Sequence, residues 1–290
     1  MPLINFILNL TALFLWLNWL SIHFDPLART RAASLVGTLK KADPSGPRRG
    51  KFLAGLAALL FVRAWIYCQI SAGLSWTPKI NLAFTSLPFR GDYFTHMLLF
   101  SLLGFLLVLA DFYLWLLLLS VANRRVPDAD RLQNLVRLLL KWIERWPNPV
   151  KLLLPLAFGS LSWLALHPVL VRLAIVPEIK STVQLFEQAV LIGVGTYTDW
   201  KYLIATVLLL HLLGSYVYFG EHPVWNFINL TARNLLALLR WLPLRFGKVD
   251  LLPLAGIALV ILVPELFSHP PRWLPQLARF NQWFYRLLPF

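Results

Sequence analysis

Long apolar runs separated by basic connectors constrain this chain before anything else. Six stretches, at about residues 3–22, 52–74, 97–122, 152–173, 202–219 and 251–267, are dominated by Leu, Phe, Ile, Val and Trp. A helix crosses the hydrocarbon core of a bilayer with roughly 20 such residues. Lipid offers no partner to backbone N–H and C=O groups, so these runs must close their hydrogen bonds internally, as helices. A transmembrane barrel would alternate apolar and polar residues over segments of about ten, and no such alternation is present. The expected fold class is all-α. It is a polytopic membrane protein of about six transmembrane helices in a single membrane domain, 1–290, built as hairpin units over 1–75, 95–174 and 201–268. The charged fraction of 14% points the same way, since soluble domains carry about 25%. The first run has no basic flank and no small-residue cleavage site, so it reads as a retained helix rather than a secretory leader.

The formal net charge is +14, and its distribution decides its meaning. Lys and Arg gather between runs one and two (Arg29 to Lys51), three and four (Arg124 to Lys151), and five and six (Arg233 to Lys248). The opposite side carries mainly Lys79, Arg90, Lys180 and Lys201. Such asymmetry suits positive-inside loops lying on anionic headgroups. The expected partners are therefore membrane lipids and other membrane proteins, not nucleic acid. The odd-to-even connectors belong in the cytoplasm, with both termini on the outer side. Two further stretches, 178–194 and the tail at 269–290, mix apolar residues with charge. They read as amphipathic helices, in the interface plane or packed on the bundle.

The hairpins echo one another. LLLPLAFG (152–159) matches DLLPLAGIA (250–258), and each follows a basic amphipathic stretch. Pro155 and Pro253 stand 98 residues apart, and KFLAGLAALL (51–60) extends the period loosely to the first hairpin. These copies share one orientation, unlike the inverted repeats of many transporters. In the best-preserved copy Pro243 stops an interfacial helix and Gly247 permits a tight turn. Asp250 stands where an N-cap is wanted, and Pro253 falls in the first turn, where a missing donor costs little. The functional alternative is a binding site of Arg240, Arg245, Lys248 and Asp250.

Arg240, Pro243, Gly247, Asp250 and Pro253, set between two apolar spans, resemble the YggT family of small bacterial and plastid membrane proteins. The second hairpin keeps only Arg137, Pro147 and Pro155 of that pattern, and the first keeps basic residues and Pro47. Ordinary members have one or two hairpins, so three is a departure. The resemblance implies a bacterial inner membrane location, which makes the outer side periplasmic. It also implies a role in envelope organisation, osmotic tolerance or assembly of membrane complexes, and it carries no catalytic residues over.

Ionisable groups inside the runs are functional candidates because each costs about 2.5–3.5 kcal/mol to insert. Arg63 lies roughly 18 Å from the inner end of its run and Asp111 roughly 21 Å from the outer end of its own. The depths suggest an Arg63–Asp111 pair. His96 and His167 reach similar depth within one hairpin, where bis-histidine haem ligation is the sharp alternative to two interfacial histidines. His211 sits mid-run and reads as hydrogen-bonded to a neighbouring helix. The one cysteine, Cys68, allows no internal disulfide. There is no phosphate loop, His-Glu-x-x-His or nucleophile elbow, and Gly-Val-Gly at 193–195 reads as a turn. The expected function is a non-enzymatic scaffold or accessory subunit with no cofactor beyond bound lipid. An ion or small-solute pathway is the alternative.

Overall fold

The computed structural model describes residues 2–21, 50–74, 76–82, 85–124, 131–179, 181–217, 222–239, 244–246 and 249–268. The described chain is mostly helical. In order it forms α1 (Pro2–Ser21), α2 (Gly50–Leu74), strands β1 (Lys79–Leu82) and β2 (Thr85–Pro88), α3 (Phe94–Ala122) and α4 (Arg131–Leu140). There follow α5 (Asn148–Arg172), α6 (Thr182–Gly195), α7 (Trp200–Tyr216), α8 (Pro223–Leu235), the short strands β3 (Arg245–Phe246) and β4 (Val249–Asp250), and α9 (Leu252–Ser268). Four helices are long and apolar enough to cross a membrane, over Leu3–Leu20, Gly50–Gly73, Phe94–Ala122 and Asn148–Arg172, while Leu252–Leu266 is a shorter apolar helix.

The chain divides into two compact units, Met1–Ile80 with Pro88–Ala110, and Asn81–Leu87 with Asp111–Phe290. In the first, α1 packs on α2 around Ala12, Leu56, Leu60 and Phe105. Ser101 Oγ donates to Leu60 O at 2.9 Å and so ties α3 to α2.

The second unit departs from simple hairpins. The 178–194 stretch forms α6, which packs antiparallel along α5. Gly159 and Gly193 allow the approach: a Cβ on Gly159 would lie 2.8 Å from Gly193 Cα, and one on Gly193 would lie 2.5 Å from Leu156 O. Gly-Val-Gly at 193–195 is therefore not a turn. Glycine here serves close packing between helices rather than backbone freedom. Just past the end of α5, Ala174 has a left-handed φ of 51°, which lets Ile175 N–H reach back to Leu170 O at 3.0 Å.

Helical backbone continues from Gly195 through a 3₁₀ turn, Thr196–Asp199, into α7. Tyr197 Oη donates to Leu152 O. Trp115 Nε1 donates to Asp199 O at 3.3 Å and Trp200 Nε1 to Leu114 O at 3.1 Å. Leu114 is about 30 Å along α3 from Phe94 and about 12 Å from Ala122. The distribution of charge groups Lys201 with the residues at the starting end of α3. In the structure α6 carries the chain back along α5, so the turn lies nearer the other end.

Near that same end the basic connectors are clamped. Leu116, Val136, Leu140 and Phe227 form one apolar cluster. Asn123 Nδ2 donates to Thr231 Oγ1 at 2.7 Å, and Asn234 Nδ2 donates to Asn123 Oδ1 at 3.0 Å. Lys151 Nζ donates to Ser120 Oγ at 2.9 Å and pairs with Glu144 at 3.0 Å. Glu144 also faces Arg137 at 3.7 Å.

The expected cap at Asp250 is corrected. Asp250 pairs antiparallel with Arg245 in β4, and the N–H of Ala255 reaches Leu251 O, so Leu251 holds the cap position of α9. The β-pairing takes Asp250 one residue too early. Pro253 does fall in the first turn of α9. Arg240, Pro243, Gly247 and the 269–290 tail lie outside the described residues.

Candidate functional site

Arg63 is 1% exposed. Its Nη1 donates to Asn9 Oδ1 and its Nη2 to Asn5 Oδ1, each at 2.5 Å. Tyr67 Oη donates to the same Asn5 oxygen at 3.1 Å. The guanidinium also lies 5.5 Å from the Tyr67 ring centroid and 5.9 Å from that of Phe100, within the range of cation–π attraction. The hydrogen bonds of Arg63 therefore run to amides on α1. Depth alone does not rank a carboxylate against two amides on the adjoining helix. Gly104 completes the cage, since a Cβ there would sit 3.1 Å from Nη2. Sequence reasoning passes over Asn5 and Asn9. Their signal is a pair of amides at i and i+4, one face of a helix, in an otherwise apolar run.

Asp111 lies in the second unit, within electrostatic reach of Asp199. Asp199, in the 3₁₀ turn, opens onto a cleft of about 420 Å³ lined by Asn81, Thr85, Ser86, Thr198, Lys201 and Tyr202. Every lining side chain is polar, in a chain that is 58% hydrophobic. The chain matches no family model, no curated protein and no solved structure. The site must therefore be argued from its own geometry.

The histidines have separate surroundings. His211 Nδ1 lies 2.8 Å from Asn229 Oδ1 on α8. His96, in the first unit, is 7% exposed and stacks near Tyr93 with ring centroids 5.5 Å apart. His167, in the second, is equally buried and meets Trp163 at 5.8 Å. Among the described residues no group of three or more His, Cys, Asp or Glu side chains is placed to hold a metal ion.

Proposed function

We propose that this chain is a non-enzymatic membrane scaffold or accessory subunit, resident in a bacterial inner membrane with both termini outside. The spans would come from its six apolar runs, the first four of which form helices long enough to cross a membrane, with lipids and other membrane proteins as partners. The observation that carries the reading is the use of the polar groups. Arg63 holds α1 to α2, His211 holds α7 to α8, and Lys151 with Glu144 and Ser120 holds the connector to α3. These are bonds between helices, which position surfaces rather than reacting atoms. The likeness of the third hairpin to the YggT family belongs to the same proposal.

The test is extraction of native membranes in a mild detergent, followed by affinity capture and native-gel electrophoresis. The expected result is a complex well above the 33.3 kDa of one chain, holding a second membrane polypeptide at fixed stoichiometry. Recovery of a lone protomer with lipid only overturns the reading. One observation favours the alternative, an ion or small-solute pathway. The polar cleft of Asp199 and Lys201 lies at the 3₁₀ turn between α6 and α7, and departures from α-helix in membrane proteins are tolerated where they line a cavity.

A further inference from the structure

We propose that this cleft binds a small zwitterion, a molecule carrying one ammonium and one carboxylate group. The inference deepens the pathway reading and rests on it.

Charge is the first argument. Asp199 and Lys201 line the same cleft, yet among the described residues no ion pair joins them. Lys201 Nζ instead rests 5.0 Å from the Tyr202 ring centroid. An acid and a base that share a cleft without pairing leave a position for one ligand charge beside each. A bare cation entering there would meet Lys201. A bare anion would meet Asp199. A neutral polyol could hydrogen-bond to both groups but would neutralise neither charge, and a buried charge left uncompensated is costly. A zwitterion answers both.

Donor chemistry agrees. The Thr198 hydroxyl donates to Gly195 O at 2.6 Å, so its oxygen lone pairs remain to accept from an ammonium. Thr85, Ser86 and Tyr202 supply hydroxyls and Asn81 an amide. A volume of about 420 Å³ is at the small end of ligand pockets, which run from about 300 to 1,000 Å³. The backbone fits the role too. The site forms where Thr196–Asp199 tightens to 3₁₀ between two α-helices, and such mid-helix segments mark hinges and binding sites.

The experiment uses the full chain in lipid nanodiscs, titrated calorimetrically with glycine, ethylammonium chloride and sodium acetate. Saturable binding of glycine is expected, with the two single-charge probes weaker by about tenfold or more. Asp199→Asn and Lys201→Gln should each weaken glycine by about tenfold as well. No glycine binding, or ethylammonium or acetate binding as tightly as glycine, overturns the proposal. That comparison is made on the wild-type protein, so a variant that fails to fold does not blur it. Uptake of labelled glycine into proteoliposomes is a separate readout. Binding without uptake sinks the pathway reading and upholds the site.

Discussion

Replacing Asn9 by Leu should destabilise the chain by about 2–3 kcal/mol, the usual cost of removing a hydrogen-bond partner from a buried charged group. Asn9 accepts from Nη1 of a guanidinium that is 1% exposed. Leucine fills the space and removes the acceptor, leaving an N–H of a charged group with neither protein nor water. Asn5 cannot compensate, because its oxygen already takes Nη2 of Arg63 and the Tyr67 hydroxyl. The informative control is the triple variant Arg63→Met, Asn5→Leu, Asn9→Leu. Well-packed apolar replacements for buried charged groups are often neutral or stabilising, so the triple variant should recover most of the loss. Chemical denaturation in a defined detergent measures both. A single variant as stable as wild type would show that the cage does not hold α1 to α2.

Replacing Gly193 by Val should cost about 3 kcal/mol, at the upper end for overpacking. The first added carbon would lie 2.5 Å from Leu156 O and 2.3 Å from Ser160 Oγ. Ser160 can rotate away, whereas a backbone carbonyl can yield only if the helices part. Separation of α5 and α6 would then carry the Thr196–Asp199 turn with it. The same variant should therefore weaken ligand binding at the cleft as well as lower the melting temperature. Gly73 in α2 is the counter-case, since a Cβ there would meet nothing within 4 Å. Gly73→Ala should gain about 0.5–1 kcal/mol from helix propensity alone. Equal effects at the two glycines, read from thermal melts, would refute the packing account.

The helical architecture was legible because apolar length is a local property. The first four runs became the helices long enough to cross a membrane, and 178–194 became a helix as its pattern indicated. The candidate site was legible only in part. Arg63 and Asp111 stand out for the cost of charge in an apolar run, and both are largely withdrawn from solvent. Their partners were not legible, because a partner is fixed by which helix faces which. Asn5 and Asn9 sit more than fifty residues from Arg63, and composition gives no preference for them over Asp111. Asp199 draws no notice in a short polar stretch, although it lines the cleft.

By itself the sequence determined that this chain is helical and where its apolar segments run, since backbone hydrogen bonding in an apolar setting admits little else. It also determined which termini its prolines set, as at Pro253. Tertiary structure alone decided that α6 folds back along α5, that Asp250 joins a strand instead of capping a helix, and that Arg63 answers to amides. Those outcomes depend on how closely two backbones can approach and on competition among distant groups for the same donor. Neither quantity is written in any single segment.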